Sequence, residues 1–315
     1  MRKPAARRPD ALNKQLQQLD RRIAKEVELL RKARDGKHCY PLFMGSSSIG
    51  PRVVDDVYEQ LRKDFGGCDG KLDVLVDSSG GDIDAAYNLA QLFRRYGTAE
   101  LTFIVPRWAK SAATLLACSG DKILMTPVAE LGPMDPQITE MNPLERRLER
   151  FSPLHIDSTL ALIREEFKSG SRDLAQALMQ RLQFPLTLGS IRKSLDISKQ
   201  YLVRLLSTRM LKNEANVAKK AEEIAAKLTE SYADHGFCIN LEEAKNIGLV
   251  VEELKGEQLD VAWRLHRLNA GRSDVLRKKH EEEMKEKLKD LPPGILERVQ
   301  PELREGANGK ERYGR

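Results

Sequence analysis

Between Val74 and Gln137 the sequence alternates buried-type strands with short turns and helices, and this alternation constrains the fold more than any other feature. The stretch reads VLVDSSGGDIDAAYNLAQLF, then LTFIVPRWAKSAATLLACSGDKILMTP, then VAELGPMDPQ. Strands at 72–77, 101–105 and 121–125 are separated by helical segments, so consecutive strands need crossover connections. The pattern predicts an α/β fold built on a mainly parallel sheet.

Two strand-to-helix turns in this stretch have an unusual composition. The first is SSGG at 78–81, where glycines without a Cβ atom allow a sharp bend and let a ligand reach the backbone amides. The second ends at Ser111, and the small residues Ala112 and Ala113 follow it. We expect both turns to face one reaction centre, although a pair of glycines can also be a simple tight turn.

Ser111 has two interpretations. A serine at the start of a helix is commonly an N-cap, whose hydroxyl accepts a hydrogen bond from the backbone. A nucleophile needs the same position, because it must project from a strand-to-helix turn beside an amide that can stabilise an oxyanion. The small residues after Ser111 would leave room for a substrate carbonyl.

The regions on either side are predicted to be mainly helical. Steps of three and four between apolar residues over 11–35 predict an amphipathic helix, which either covers the core or pairs with the same helix of another subunit. From 143 to 228 the period is helical throughout, and the sequence beyond 256 is helical and highly charged. Within 143–231 the helices are predicted at 158–168, 171–182, 196–211 and 214–231.

Composition excludes several classes of function. Aromatic residues make up only 5% of the 315 residues, which argues against a base-stacking nucleic-acid protein. The four cysteines form no CxxC motif, so we expect neither a disulfide framework nor a metal site, and a reducing cytoplasm is the default. No apolar run approaches the roughly 18 residues that a membrane span needs.

Four fragments occur in an order that resembles the serine dehydrogenase proteinase family of Clp-fold peptidases, within the Clp protease and signal peptide peptidase A superfamily. They are SSGGD at 78–82, AKSAAT at 109–114, LGPMDPQ at 131–137 and HGFCI-x3-EA-x3-GL at 235–249. The resemblance extends from about Cys39 to Val251. It implies a Clp/crotonase-type spiral of ββα units, peptide hydrolysis through a serine, no cofactor, and assembly into a homo-oligomer.

The resemblance also implies roles for individual residues. Ser111 would be the nucleophile, the amides of Gly81 and Ala112 would form the oxyanion hole, and Gly80 would shape the turn. Relatives carry a histidine where this chain has Asp135, and an aspartate where it has the stretch around His235. Because geometry rather than chain order defines a catalytic triad, we hypothesise that the two roles are exchanged, with His235 as the base and Asp135 orienting it.

Other assignments stay open at this stage. Lys168 is the alternative base, since signal peptide peptidase A uses a lysine, but a lysine can serve only if burial lowers its pKa. The alternative interpretation of His235 and Asp135 is that they are ordinary turn residues. The remaining histidines lie outside the matching fragments, and we assign them no chemical role; they are His38, His155, His266 and His280.

The sequence thus predicts three regions and a serine endopeptidase acting on polypeptides. The regions are a helical arm at 1–36, a peptidase domain at 37–255 and a charged helical extension at 256–315. Two other functions remain open: a crotonase-type acyl-CoA enzyme that uses the same oxyanion hole, and an inactive scaffold with the same fold. An unidentified helical partner could bind through residues 11–35.

Overall fold

The computed structural model describes residues 8–45, 47–64, 70–135, 138–142, 147–151, 153–181 and 188–289. The chain forms two compact units. One unit, called the core unit below, is Lys25–Arg267, and the other consists of Met1–Ala24 together with Leu268–Arg315. All the predicted site residues belong to the core unit.

The strands alternate with helices along most of the described chain. The strands are β1 (His38–Phe43), β2 (Lys71–Asp77), β3 (Glu100–Val105), β4 (Trp108–Ala109), β5 (Lys122–Met125), β6 (Glu130–Leu131), β7 (Ile138–Asn142), β8 (Arg147–Phe151) and β9 (Val251–Glu253). The helices are α1 (Arg8–Ala33), α2 (Pro51–Asp64), α3 (Ile83–Tyr96), α4 (Ala112–Ala117), α5 (Pro153–Ser169), α6 (Arg172–Arg181), α7 (Leu188–Leu205), α8 (Val217–Glu230), α9 (Leu241–Ile247) and α10 (Gly256–Lys289). A π-helical turn at Leu206–Met210 extends α7.

The main sheet has five strands in the order β1-β2-β3-β5-β9, and every neighbouring pair is parallel. The predicted α/β class with a mainly parallel sheet is therefore confirmed. A second, two-stranded parallel sheet joins β4 to β6. Since β2 and β3 are parallel neighbours, their carboxyl ends lie at the same edge of the sheet, and the turns that follow them can meet there.

The inner strand β2 is buried along almost its whole length. All its residues from Leu72 to Asp77 are buried, as expected for a parallel strand with both faces covered. The helix α3 covers this strand with an apolar face whose members are fully or almost fully buried, including Leu89 and Phe93. Asp82 caps α3 through its side chain, which accepts a hydrogen bond of 2.7 Å from the Ala85 amide.

One prediction for this region is wrong. The helical period from 143 to 228 does not hold throughout, because β8 is a strand and pairs in antiparallel register with β7, with Ile138 opposite Phe151. Leu144, Leu148 and Phe151 are spaced by four and three residues, which imitates a helix over so short a segment. Beyond β8 the chain is helical over α5, α6, α7 and α8, in agreement with the sequence.

No helix among the described residues combines the length and the apolar character needed to cross a bilayer.

Candidate active site

The two turns predicted to share a reaction centre are bonded to each other. The Ser78 amide donates to the Trp108 carbonyl at 2.9 Å, and the Lys110 amide donates to the Ser78 carbonyl at 3.1 Å. These bonds pair the residue after β2 with the short strand β4. They bring the SSGG turn directly beside the residue that precedes Ser111.

The SSGG turn is held from its other side by the loop after β1. The Ile49 amide donates to the Gly80 carbonyl at 2.8 Å, and the Asp82 amide donates to the Ile49 carbonyl at 2.8 Å. Gly81 has a φ of +149° and leaves no space for a side chain, because an added Cβ would lie 2.2 Å from the Ile49 oxygen. Glycine is therefore required here for both backbone conformation and packing.

Ser111 occupies a conformation that residues with a side chain rarely adopt. Its φ is +51° and its ψ is −122°, and α4 begins at the next residue. Its side chain makes no capping hydrogen bond, so the N-cap interpretation does not apply. A strained serine between a strand and a helix is the geometry of a nucleophile elbow, in which the turn projects the hydroxyl towards a substrate.

Ser111 lies against the glycine turn. A Cβ added to Gly80 would be 2.9 Å from the Cβ of Ser111 and 3.3 Å from the Ala112 amide nitrogen. Among the hydrogen bonds of the described residues, none has the Gly81 or the Ala112 amide as its donor. Two such amides next to a serine are the donors that an oxyanion hole requires.

His235 and Asp135 form a hydrogen-bonded pair across 100 positions of sequence. Nδ1 of His235 lies 2.6 Å from Oδ1 of Asp135. The aspartate is buried, with 3% of its surface exposed, whereas the histidine side chain is 30% exposed. An ionised carboxylate can only accept, so Nδ1 carries the proton and Nε2 is left with the lone pair that a general base uses.

Backbone and side-chain contacts connect this pair with the Ser111 turn. The Leu131 and Ile239 backbones exchange two hydrogen bonds of 2.9 and 3.1 Å, which join the segments that carry Asp135 and His235. The Thr114 hydroxyl, in the first turn of α4, bonds the Ala109 carbonyl at 2.6 Å and the Gly132 backbone at 3.0 Å. The three segments are thus bonded into one structure.

Lys110 provides a further connection between these segments. Its Nζ lies 2.8 Å from Oε2 of Glu130 and 3.3 Å from the Phe237 carbonyl, two residues beyond His235. Burial tends to raise the pKa of Glu130, but hydrogen bonds from Lys110 and Arg107 hold it below its ordinary value. The Lys110 ammonium is therefore held in an ion pair with Glu130.

The alternative base does not have the environment that it would need. Lys168 is exposed, one residue before the end of α5. Burial is what would lower the pKa of a lysine enough for it to accept a proton, and this side chain is not buried.

Two contributors to this region were not singled out by any sequence pattern. The Ile49 backbone brackets the glycine turn, and His266 forms a second buried pair, with its Nδ1 2.8 Å from Oδ2 of Asp77. His266 and Asp77 are 189 positions apart, so no local spacing signals the contact. Over the described part of the chain, no three His, Cys, Asp or Glu side chains are grouped as metal ligands.

These features define a candidate serine hydrolase. The turns of a parallel sheet bring a strained serine beside two glycines, and a histidine–aspartate pair is bonded to the segment that carries the serine. Residues 53–166 match the family model described as ClpP-like SDH-type serine proteinase. The resemblance to the serine dehydrogenase proteinase family and its Clp-type fold is confirmed for this segment. The matched residues include Ser111 and Asp135, whereas His235 lies beyond them.

Two uncharacterised proteins of Methanocaldococcus jannaschii are related to this chain. They are 27% and 25% identical to it over 202 and 182 residues, which are 63% and 57% of this chain. The matches cover 59% and 51% of the relatives, so the chain spans about half to three fifths of the length of these curated proteins.

Solved structures with a similar arrangement include two proteases. A serine-to-alanine variant of the 1510-N membrane-bound stomatin-specific protease is 14% identical, with 70% of this chain and 81% of that chain covered and a TM-score of 0.41. ClpP1 from Listeria monocytogenes is 12% identical, with coverages of 69% and 92% and a TM-score of 0.36.

Proposed function

We propose that this protein is a serine endopeptidase that hydrolyses polypeptides through an acyl-enzyme on Ser111. The observation that carries the proposal is the 2.6 Å contact between His235 and Asp135, two residues 100 positions apart. The segments that carry them are hydrogen-bonded to the residues on either side of Ser111. The family match over residues 53–166 supports the same class of reaction.

Each residue has a distinct role in the proposed reaction. His235 accepts the Ser111 proton at Nε2 while the hydroxyl oxygen bonds to the substrate carbonyl carbon. The resulting oxyanion accepts hydrogen bonds from the Gly81 and Ala112 amides. His235 then donates the proton to the leaving amine as the C–N bond breaks. In the second half of the reaction His235 accepts a proton from water, which attacks the acyl-enzyme and releases the carboxylic acid and the Ser111 hydroxyl. Asp135 keeps Nδ1 protonated and stabilises the imidazolium that forms.

Labelling with a fluorophosphonate probe tests this proposal. The wild-type protein should form one adduct, identified by mass spectrometry on the peptide that contains Ser111, and should cleave fluorescently labelled casein. Ser111→Ala should abolish both signals, whereas Ser169→Ala, which changes an exposed serine at the end of α5, should leave both unchanged.

The remaining outcomes separate the alternatives. Lys168→Ala should keep the wild-type labelling rate, and a large loss in that variant would assign the base to the lysine. Turnover of an acyl-CoA that survives Ser111→Ala would point to crotonase-type chemistry. A wild-type protein that forms no adduct and cleaves no casein would instead be a scaffold, and the proposal would be wrong.

Homo-oligomer assembly, a helical partner at 11–35 and a cytoplasmic location remain parts of the proposal. They rest on the resemblance, on the amphipathic stripe of the first helix and on the cysteine pattern. Sedimentation of the full chain measures the first of these directly, and a monomer at all protein concentrations would contradict it.

A further inference from the structure

The second histidine–aspartate pair has no part in the proton transfers described above. His266, from α10, and Asp77, from β2, are only 7% and 5% exposed, and their 2.8 Å contact is within the core unit. Burying such a pair is costly, and apolar side chains of similar volume often stabilise a fold equally well. The position of the pair therefore calls for an explanation other than stability alone.

Asp77 is the last residue before the SSGG turn. Its carbonyl accepts a hydrogen bond of 3.1 Å from the Met44 amide, and the next amide, that of Ser78, donates to Trp108. The Ser78 hydroxyl in turn accepts from the Gly80 amide at 3.1 Å. A displacement of Asp77 would therefore pass along these bonds to Gly80 and Gly81.

The His266 ring also contacts the turn that carries the nucleophile. The Trp108 ring meets it edge to face, with centroids 5.8 Å apart and an angle of 86° between the rings. On another side the Trp263 ring is tilted by 30° at a centroid distance of 5.0 Å. Trp108 is three residues before Ser111, and its carbonyl is the acceptor for Ser78. One imidazole thus contacts the residue just before the glycine turn and a residue three positions before Ser111.

We propose that His266 is a positioning residue, whose hydrogen bond to Asp77 and contact with Trp108 hold the glycine turn and the Ser111 turn in the relative position that the oxyanion hole requires. This inference rests on the proposed peptidase function. An ionised Asp77 accepts only, so Nδ1 of His266 carries the proton and the ring has one fixed orientation. Displacing reacting groups by about 1 Å can slow a reaction on the order of 100-fold.

The rate of Ser111 phosphonylation by a fluorophosphonate tests the proposal without a known substrate. His266→Phe keeps a ring between the tryptophans but removes the donor, while His266→Asn keeps an N–H near the position of Nδ1. We expect the limiting rate of phosphonylation to fall roughly 10- to 100-fold in the Phe variant. The probe concentration at half-saturation should change little, and the Asn variant should recover most of the rate.

The strand β2 offers a matched control at its other end. Asp73 is fully buried and pairs with Arg34, with 2.7 Å between Oδ2 and Nε, but it lies four residues before Asp77 and away from the turn. Asp73→Asn should weaken a comparable buried pair and lower the unfolding midpoint, yet leave the phosphonylation rate of the folded protein within about twofold of wild type.

The outcomes are distinguishable from failure of the peptidase proposal, because that failure would appear in the wild-type protein as the absence of a Ser111 adduct. A His266→Phe protein that is folded by circular dichroism and labels at the wild-type limiting rate overturns the positioning role. So does an equal loss in the Phe, Asn and Asp73→Asn variants, since that pattern reports general destabilisation. If His266→Phe does not fold, the double variant Asp77→Asn/His266→Phe removes the charge together with the donor and is judged by the same rates.

Discussion

Among its described residues, the core unit contains two histidine–aspartate pairs of the same composition in different surroundings. Nδ1 lies 2.6 Å from the carboxylate in the pair of His235 and Asp135, and 2.8 Å in the pair of His266 and Asp77. The His235 side chain is 30% exposed, whereas that of His266 is 9% exposed and flanked by tryptophans. The hydrogen bond alone therefore does not define a catalytic base.

The difference suggests a division of roles between the pairs. A base must exchange a proton with a substrate, so it needs an accessible ring nitrogen as well as a partner that fixes the tautomer. A buried imidazole contacted on several sides cannot reach a substrate but can hold backbone segments in place. We accordingly assign proton transfer to His235 and positioning to His266.

Changing the two aspartates to asparagine gives the largest contrast. Asp135→Asn presents an N–H to Nδ1 of His235, which favours the tautomer with the proton on Nε2 and removes the base. We expect casein hydrolysis to fall on the order of 10⁴-fold. Asp77→Asn should cost at most about 100-fold, because His266 transfers no proton. The casein hydrolysis rate of each variant is divided by the amount of Ser111 adduct that it forms with the fluorophosphonate at completion. Equal losses in both variants would contradict the division of roles.

Stability should respond in the opposite order. His266→Phe leaves a buried carboxylate without one of its hydrogen bonds, which should cost about 3–5 kcal/mol of unfolding free energy. His235→Phe also removes a hydrogen bond from a buried carboxylate, that of Asp135, but the ring it replaces is 30% exposed, so water can reach the site. The loss there should be smaller, about 1–3 kcal/mol. Urea unfolding followed by circular dichroism measures both values. A larger loss in His235→Phe would mean that the exposed pair carries the structural role.

The division of roles assumes that the oxyanion hole at the glycine turn is the site at which His235 acts and which His266 positions. Gly81→Ala tests that assumption. The added methyl group would lie 2.2 Å from the Ile49 oxygen, so the turn must shift, which should cost about 1–3 kcal/mol. Gly170 is the matched control, since its φ is +98° but no atom lies within 4 Å of an added Cβ. Its alanine variant should lose only about 1 kcal/mol, from backbone strain.

The same two variants separate folding from catalysis. Gly81→Ala should lose Ser111 labelling even in the folded protein, because the displaced amide belongs to the proposed oxyanion hole. Gly170→Ala should label at the wild-type rate. If folded Gly81→Ala labels at the wild-type rate, the Gly81 amide is not part of the oxyanion hole. The two histidine–aspartate pairs would then not act on the same glycine turn.

Local patterns in the sequence were sufficient to predict the part of this site that is contiguous in the chain. The apolar run of β2, the glycines after it and the small residues after Ser111 predicted the sheet and both turns. Each depends on the chemistry of neighbouring residues, which is what periodicity and turn composition report. The pairing of Asp135 with His235 was anticipated only through the family resemblance.

Contacts between distant segments could not be predicted in the same way. His266 lies on a long charged helix, and nothing in the neighbouring residues indicates that it reaches Asp77, 189 positions away. The hairpin of β7 and β8 was missed because the apolar residues in and just before the short strand β8 are four and three positions apart in the sequence, as in a helix. In both cases tertiary packing, rather than local preference, decides the structure.

The smallest expected effect is a pH dependence of the unfolding free energy near the His235 pair. Glu130 is linked through Lys110 to the segment of His235, and the hydrogen bonds from both Lys110 and Arg107 hold its pKa below the ordinary value of 4.5. A carboxyl group with a lowered folded-state pKa stabilises the protein above its unfolded-state pKa. That stabilisation is lost as the pH falls through the folded-state value.

Glu130→Gln should therefore be less stable than wild type at neutral pH, and the difference should shrink as the pH falls below about 4.5. Urea unfolding at a series of pH values measures it, and Glu252→Gln, which removes the exposed partner of Lys122, is the control with a smaller difference. A pH-independent gap would mean that the Glu130 side chain stabilises this region by packing rather than by charge. In that case the link between Lys110 and the His235 segment would not be electrostatic, and the two pairs would differ only in exposure.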